Sequence, residues 1–326
     1  MTASICLAKI APAVSLTWKI FLLSIAGAAH SAPGFDSPTT PLAALAAFQH
    51  DPGLRVELVA AEPLVFQPCV MAWDAEGHLF VAENCGYPTG PAPGAPPMGT
   101  IVRLEDTAGD GRMDRRIVFA DGLAFPNGLT PWNGGLIVTC APDVLFLKDN
   151  EGDGRADERR VLLTGFNTNG STQLRVSHPT FGPDGWIYLT SGLTGSSRVT
   201  SPEHPERSAV EINTDSRFNP FTLEIEPVGG RGQFGQTFDD AGNRFHCMNR
   251  VHIQHTVIPP PYLARNPNLA FNETVQNLPE TMITEPHQRR EPKLRRAALS
   301  NQRQCHHCRL ACRHIYCRVW CSYLPG

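Results

Sequence analysis

The stretches LEDTAGDGRMDRRIVFADGL (104–123) and LKDNEGDGRADERRVLLTGF (147–166) are two copies of one pattern, set 43 residues apart. In each copy a turn rich in Asp and Gly separates two apolar segments, as in a β-hairpin. The intervening GLTPWNGGLIVTCAPDVLFL (128–147) predicts two more strands around a tight turn. Strands in groups of four at a period of roughly 40 to 50 residues are typical of β-propeller blades. The repeat therefore predicts an all-β chain built from such blades.

A second recurring unit supports the same interpretation. It is a turn containing Asp or Asn with Gly, followed by an alternating apolar strand, and it occurs at WDAEGHLFVAE (73–83), FGPDGWIYLTSG (181–192) and FDDAGNRFHCMN (238–249). A β-sandwich would show no internal period of this kind. About four blade equivalents fit between Leu54 and Val257. Because closed propellers usually have more blades, we predict an incomplete propeller.

The N-terminus has the pattern of a secretory signal peptide. Lys9 and Lys19 precede the apolar run IFLLSIAGAA (20–29), which small residues follow. The run is about ten residues long, short of the roughly 20 that a membrane span needs. We therefore predict a signal peptide over residues 1–31 and an exported protein, periplasmic or secreted, with membrane association as the alternative.

The remaining chain divides by composition into three parts. Residues 32–53 are a predicted linker with a short helix at PLAALAAFQ (41–49), and residues 54–286 form the predicted partial propeller. Within the propeller, YPTGPAPGAPPMG (87–99) has the composition of an exposed insertion. Such loops lie on the face of a propeller where sites are built. Residues 287–326 have a different composition from the rest of the chain.

The C-terminal part holds CHHCRLACRHIYCRVWC (305–321), with five of the ten cysteines. These cysteines are too crowded for a structural zinc site, and an odd number leaves one thiol out of a disulfide knot. Reading residues 300–326 from the second base of the Ser300 codon, with permitted third bases, yields one cysteine and β-type alternation. We therefore predict that 287–326 is a disordered, frameshifted tail of a truncated chain, with the slip between Glu285 and Ser300.

Charge follows the same division. The formal net charge is -3, yet nine Lys or Arg residues stand against the single acid Glu291 from His287 onward. The body of the chain is therefore acidic, which argues against a nucleic-acid partner. The body cysteines Cys69, Cys85, Cys140 and Cys247 are compatible with disulfides in an exported protein, and equally with buried thiols.

Carboxylates alternate along the two Gly-rich loops of the first repeat. Oxygen-rich loops of this kind suit calcium, although the pattern departs from an EF-hand at its third and twelfth positions. The alternative is a polar hairpin turn in which Asp and Gly serve backbone geometry. The candidate metal ligands are Asp106, Asp110, Asp114, Asp149, Asp153 and Asp157.

The stretch RVSHPTFGPDGWIYLTSG (175–192) carries the catalytic candidates, His178 and Arg175. A histidine at a strand entrance suits a general base, and a nearby arginine suits an anionic cofactor or a developing oxyanion. The alternative is a histidine that only hydrogen-bonds the turn. Further candidates for cofactor binding, in polar positions of apolar loops, are Asn127, Asn249, Arg250 and His252.

The run LRVELVAAEPLVFQPCVMAWDAEGHLFVAE (54–83) and the stretch 100–166 carry a family resemblance. Residues 50–285 resemble the membrane-bound dehydrogenase domain of planctomycetes and verrucomicrobia. The resemblance implies a six-bladed, TolB-like propeller related to the soluble glucose/sorbosone dehydrogenases that use pyrroloquinoline quinone (PQQ). It also implies a sugar or alcohol substrate and, in full-length relatives, an electron acceptor such as a cytochrome c domain.

The same resemblance bears on individual residues. In the quinoprotein sugar dehydrogenases a histidine precedes a GPDG-type strand, and His178 stands in that order here, with a different spacing. Relatives carry a CxxCH haem motif, but Arg309 follows Cys308 where histidine belongs, so no haem is expected in this chain. Three functions remain open: a quinoprotein-type dehydrogenase, a non-catalytic propeller that binds a glycan or a protein, and an inactive truncated product.

Overall fold

The computed structural model describes residues 40–266, 268 and 273–278. The chain divides into two compact units, Met1–Leu54 and Arg55–Gly326. In the first unit, helix α1 (Pro41–Ala46) begins after Thr40, whose Oγ1 accepts a hydrogen bond of 3.3 Å from the Ala43 amide. This helix lies within the segment for which the sequence predicted one, and it ends before Gln49. The predicted signal peptide and C-terminal tail, with its cysteines, lie outside the described residues.

In the second unit, four antiparallel sheets of four strands follow one another along the described chain. We call them blades 1 to 4. Blade 1 comprises β1 (Pro68–Trp73), β2 (Leu79–Glu83), β3 (Gly99–Glu105) and β4 (Arg115–Leu123). Blade 2 comprises β5 (Gly128–Trp132), β6 (Gly135–Cys140), β7 (Asp143–Lys148) and β8 (Glu158–Leu163). Blade 3 comprises β9 (Ser177–Phe181), β10 (Ile187–Thr190), β13 (Ser216–Phe218) and β14 (Ile225–Pro227). Blade 4 comprises β15 (Gly235–Phe238), β16 (Arg244–Cys247), β17 (Gln254–Thr256) and β18 (Val275–Asn277).

Three smaller elements interrupt this order. The two-stranded ribbon of β11 (Ser197–Val199) and β12 (Val210–Ile212) is inserted in blade 3, between β10 and β13. A 3₁₀ turn (Thr172–Leu174) precedes β9, and helix α2 (Pro260–Leu263) lies between β17 and β18. Within the described residues, no helix has the length and apolar character that crossing a membrane requires.

The first strands of successive blades contact one another, β1 with β5, β5 with β9 and β9 with β15. These four strands are therefore the innermost of their sheets, and each sheet extends outward from them as a propeller blade does. The prediction of an all-β propeller with about four blades present is confirmed. The total of six blades, which the family resemblance implies, stays a prediction.

Both sequence repeats correspond to hairpins of the blades. The Asp-Gly units form the turns β1–β2, β9–β10 and β15–β16, and the two copies of the longer pattern form β3–β4 and β7–β8. In the first turn, Asp74 Oδ1 accepts from the amides of Glu76 and His78 at 3.1 and 2.7 Å. Asp239 repeats this in blade 4, where its Oδ1 accepts from Asn243 N at 2.8 Å. The aspartates recur because their carboxylates satisfy the amides of a tight turn.

Apolar side chains pack between neighbouring blades. Phe80 of blade 1 packs with Leu136 of blade 2 in one buried cluster. Phe146 of blade 2 packs with Ile187 and Leu189 of blade 3 in another. Strand β2 is buried on both sides, because Phe80 and Ala82 pack toward blade 2 while Leu79 and Val81 pack against Ala60, Leu64 and Val65 in the segment before β1.

Cys85, Cys140 and Cys247 are free thiols in the described structure. Cys140 is buried, and its Sγ donates to the Ala124 carbonyl at 3.1 Å. Cys69 Sγ donates to the Pro126 carbonyl, also at 3.1 Å. Of the two alternatives that the sequence left open, the structure shows thiols that hydrogen-bond to the backbone between blades 1 and 2.

Candidate functional site

The direction of the strands separates the candidate residues into two groups. Strands of a blade alternate in direction, so the loop before the first strand and the loop after the second strand lie at the same end of the blade. We call this end the entry face. It carries the catalytic and cofactor-binding candidates, which are Asn127, Arg175, His178, Asn249, Arg250 and His252. The loops β3–β4 and β7–β8, which carry the six aspartates, lie at the opposite end.

The aspartates of the opposite face hold their own loops together. Asp106 accepts from the amides of Gly109 and Gly111, each at 2.7 Å. These hydrogen bonds, the one from Gly111 foremost, lower the pKa of the Asp106 carboxyl. Asp149 repeats the arrangement with Gly152 and Gly154, at 2.6 and 2.7 Å.

The remaining aspartates have similar roles. Asp114 accepts from the hydroxyl of Thr107 at 2.8 Å, and Asp157 from the amide of Glu151 at 3.0 Å. In the part of the chain that the structure describes, no group of three or more His, Cys, Asp and Glu side chains could hold a metal ion. The polar-turn alternative therefore accounts for these residues, and the calcium prediction finds no ligand cluster there.

His178 lies on the innermost strand β9 in an uncommon conformation. Its φ is +52°, in the left-handed region that non-glycine residues rarely adopt. The register of β9 against β10 shifts at this point, so that His178 and Pro179 together oppose Leu189. Such a β-bulge re-aims a side chain, and bulges are frequent beside active sites.

The imidazole of His178 is half-buried and contacts the backbone of Gln236 on β15. Packing by the surrounding protein lowers the pKa of His178 to about 4. The ring is therefore neutral at neutral pH, with one nitrogen free to accept a proton. The backbone that the ring contacts lies on β15 and not in the turn that follows β9.

Glycines on the neighbouring innermost strands make room for His178. A Cβ on Gly128 of β5 would lie 2.5 Å from the His178 amide nitrogen and 2.6 Å from Pro179 Cδ. A Cβ on Gly235 of β15 would lie 3.9 Å from His178 Nε2 and 3.5 Å from Cys247 Sγ. Gly128 is therefore required for the close approach of β5 and β9, which sequence reasoning did not identify.

Arg175 packs on an aromatic ring three residues before His178. Its guanidinium lies 5.2 Å from the centroid of the Phe125 ring, and its Nη2 donates to the Thr168 carbonyl at 2.9 Å. Arg175 Nε is buried and has no hydrogen-bond partner among the described residues. Desolvation lowers the pKa of Arg175. A buried donor without a hydrogen-bond partner is energetically costly, so Arg175 Nε is suited to bind an acceptor group of a ligand.

The insertion after β2 forms part of the same face, as predicted. Tyr87 Oη donates to Gln173 Oε1 at 3.2 Å, and Thr172 Oγ1 donates to the Pro88 carbonyl at 3.4 Å. The insertion thus reaches from blade 1 to the segment that precedes β9. This segment carries Arg175, so the two loops form one wall beside the start of β9.

The other candidates lie on the entry face at the ends of β5 and β16. Asn127 is held at the start of β5, where its Oδ1 accepts from Thr139 Oγ1 at 2.8 Å. The backbone amide of Asn249 donates to Gln233 Oε1 at 3.1 Å and holds this residue in place. Arg250 and His252 are exposed in the β16–β17 loop. In the described structure none of the four hydrogen-bonds to His178.

His246 of β16 is a buried histidine that the sequence analysis did not single out. It is 3 % exposed, and neither ring nitrogen has a partner among the described residues. Burial, and after it the nearby charge of Arg244, lowers the pKa of His246 to about 4. The only sequence signal is its alternation with Arg244 on a short strand, which does not distinguish a buried histidine from an exposed one.

The lowered pKa of His246 predicts loss of stability in acid. An unfolded histidine titrates near pH 6.5, so between about pH 6.5 and pH 4 only the unfolded state binds the proton, and stability falls as the pH drops. When the pH is lowered from 7 to 5, the free energy of unfolding should fall in both proteins. We expect the fall to be about 2 kcal/mol smaller in His246→Phe than in the wild type. Urea denaturation at the two pH values measures this, with the exposed His50→Gln as control. Equal losses in wild type and His246→Phe would contradict the prediction.

Comparisons with known proteins place the chain in a family. A family model described as a domain of unknown function (DUF7133) matches residues 40–319. No curated protein sequence matches the chain.

Three solved structures resemble part of the chain. The first is an oxidoreductase (glucose dehydrogenase) from Thermus thermophilus, with 20 % sequence identity and a TM-score of 0.39. The second is the PQQ domain of pyranose dehydrogenase from Coprinopsis cinerea, with 15 % identity and a TM-score of 0.38. The third is the PQQ-bound aldose sugar dehydrogenase from Streptomyces coelicolor, with 16 % identity and a TM-score of 0.29. The similarities cover 60, 61 and 56 % of this chain. They cover 60, 47 and 56 % of the three proteins, less than two thirds of each.

Proposed function

The chain belongs to the DUF7133 family, and we propose that its entry face is the active site of an exported dehydrogenase that oxidises a sugar or an alcohol with bound PQQ. The observation that carries the proposal is the geometry of His178. A β-bulge with φ of +52° presents a neutral imidazole on the innermost strand. Strain of this kind costs on the order of 1 to 3 kcal/mol and persists where surrounding structure enforces it, frequently at active sites.

The residues of the entry face fit a quinone that carries carboxylates. Arg175 offers a buried Nε without a protein partner, and Arg250 offers an exposed guanidinium on the next blade. The side-chain amides of Asn127 and Asn249 add neutral donors. Arginine suits planar carboxylates because its donors form a rigid fork. We infer that these four residues would hold the cofactor.

His178 would act as the general base. Its ring is neutral at neutral pH because its pKa is lowered to about 4. The free ring nitrogen accepts the proton of a substrate hydroxyl, and the resulting imidazolium returns that proton to water after turnover. When bound, PQQ supplies the acceptor for the two electrons that leave the substrate carbon. Arg175 lies three residues before His178 and would orient the anionic groups beside the base.

The proposal extends to a redox partner. A dehydrogenase of this kind must pass its electrons on, and a cytochrome c domain in full-length relatives is the acceptor that we infer. An exported chain would meet such a partner in the periplasm or outside the cell.

We expect His178→Gln to lower kcat for dye-linked oxidation by about 10²- to 10⁴-fold, because that is the range a general base contributes. The assay uses the purified chain with added PQQ and calcium ions, an artificial dye, and a panel of aldoses and simple alcohols. His204→Gln is the matched control, since His204 lies in the β11–β12 loop beside Glu206. We expect that control to keep the wild-type rate.

Two results would count against an enzyme. Turnover unchanged in His178→Gln would remove the proposed base. Tight binding of a glycan by the wild type with no dye reduction would favour the non-catalytic propeller instead. Isothermal titration with the same sugars distinguishes this outcome from the absence of any interaction.

A further inference from the structure

The left-handed conformation of His178 is held from the next blade. Its carbonyl oxygen accepts a hydrogen bond of 3.0 Å from Nε2 of Gln236, which lies on β15. The local bond from Thr180 Oγ1 to the same oxygen is longer, at 3.2 Å. The strong bond to the bulge therefore crosses from blade 4 to blade 3.

Gln236 itself has only one orientation available. It is 7 % exposed, and its Oε1 accepts from Nε of Arg244 at 2.8 Å. An arginine only donates hydrogen bonds, so the amide oxygen of Gln236 must face Arg244. The amide nitrogen must then face the carbonyl of His178.

Arg244 is fixed in turn by a buried carboxylate. Its Nη2 donates to Asp215 Oδ2, and its Nη1 donates to the Gly229 carbonyl at 2.6 Å. Arg244 is 5 % exposed and Asp215 is fully buried. Asp215 Oδ1 also accepts from the amides of Ser191 and Gly232, at 2.7 and 2.9 Å. The ion pair is therefore anchored to the backbone just after β10 and to the segment that joins blades 3 and 4.

We propose that Gln236 is a positioning residue for His178, oriented by the buried Arg244–Asp215 pair, and that this chain sets the backbone bulge that aims the imidazole at the entry face. The inference rests on the proposed function, because it assigns the positioning of the base named there. The hydrogen-bonded chain itself is independent of any cofactor. A purely structural role would instead make Gln236 one of several buried polar residues that join blades 3 and 4.

Gln236→Glu separates the two roles. The carboxylate still accepts from Arg244 and fills the same space, but next to that cation it stays ionised and gives no donor to the His178 carbonyl. Gln254→Glu is the matched control. Gln254 lies on β17 of the same sheet, two strands outward from Gln236, and its Nε2 donates to Asn277 Oδ1 at 3.0 Å.

The readout is the imidazole ¹⁵N spectrum of His178 at pH 7, assigned by the signals that disappear in His178→Gln. We expect Gln236→Glu to shift these signals and Gln254→Glu to leave them in place. In the dye-linked assay, Gln236→Glu should lower kcat by roughly tenfold to a hundredfold with little change in KM, since a small misplacement of a reacting group has effects of that order.

The outcomes are decisive in each direction. Unchanged His178 signals in folded Gln236→Glu, or equal shifts in both variants, would overturn the positioning role. If the glutamate variant does not fold, Gln236→Met replaces it, because it adds no charge and should shift the His178 signals in the same way. If neither variant folds, Gln236 has a structural role and the positioning role is overturned. If the wild type shows no turnover at all, the proposed function fails, while the spectrum still decides the positioning.

Discussion

We expect Glu83→Ala to lower the free energy of unfolding by about 3 to 5 kcal/mol, because removing one partner of a buried ion pair leaves the other charge uncompensated. Glu83 is 1 % exposed at the end of β2. Arg116 Nη1 donates to Glu83 Oε1 at 2.7 Å, and Arg116 Nη2 donates to Glu83 Oε2 at 2.9 Å. The amide of Phe66 donates to Oε1 at 2.8 Å, and Thr100 Oγ1 donates to Oε2 at 2.7 Å.

These contacts join three parts of blade 1. Arg116 belongs to β4, Thr100 to β3, and Phe66 to the segment that leads into β1. Burial alone would raise the pKa of Glu83, but the hydrogen bonds from Arg116, Phe66 and Thr100 outweigh it and lower the pKa. The carboxylate is therefore ionised, and both of its oxygens are hydrogen-bonded in the folded chain.

Urea denaturation followed by tryptophan fluorescence measures the loss, and the melting temperature should fall by roughly 10 °C for a domain of this size. The matched control is Glu203→Ala. Glu203 pairs with Arg160 at 3.0 Å on the surface, where both side chains are substantially exposed. Surface pairs of this kind contribute about 0 to 1 kcal/mol. Equal losses in the two variants would mean that the Glu83 cluster adds no more than a surface pair.

The second large effect is expected at Gly192, at the corner after β10. Its φ is +73°, and an added Cβ would lie 1.9 Å from the Leu174 carbonyl oxygen and 2.5 Å from that of Arg175. The same Leu174 oxygen accepts from the Leu193 amide at 2.8 Å. Neither backbone can move aside without breaking this bond. We expect Gly192→Ala to cost about 4 kcal/mol, from the overpacking together with the left-handed conformation.

Gly185→Ala is the control that isolates the clash. Gly185 has nearly the same φ, +78°, but a Cβ there would meet nothing within 4 Å. Gly185→Ala should lower the free energy of unfolding by about 1 kcal/mol, because only the left-handed backbone conformation opposes the substitution there. Because Leu174 leads directly into Arg175, Gly192→Ala should also weaken the proposed binding of PQQ, which fluorescence titration of the folded variant would detect. Similar stability for the two alanine variants would show that the corner accommodates the methyl group.

The sequence repeats predicted the blades because each hairpin is formed by residues that are close together in the chain. An aspartate that accepts from amides two and four residues ahead, as Asp74 does, makes a turn from a few adjacent residues. Alternation along the following strand then sets which side chains are buried. The blade count and the placement of the loops on one face or the other both follow from this order of hairpins.

Predicting the roles of the acidic loops was harder, since the same residues suit two purposes. A row of carboxylates beside glycines can bind a hard cation or accept amide hydrogen bonds from the loop. The choice depends on where the oxygens point. Asp106 and Asp149 point at glycine amides of their own loops, a matter of backbone torsion angles that composition does not specify.

The amino-acid sequence by itself determined the hairpins, the all-β class, the approximate number of blades and the face on which His178 and Arg175 lie, because each depends on residues close together in the chain. Only the tertiary structure decided the bulge at His178 and the chain from Asp215 through Arg244 and Gln236 that supports it. Those contacts join residues far apart in sequence across two blades. They exist because neighbouring sheets pack closely enough that a buried carbonyl and a buried cation must each find a partner on the other side.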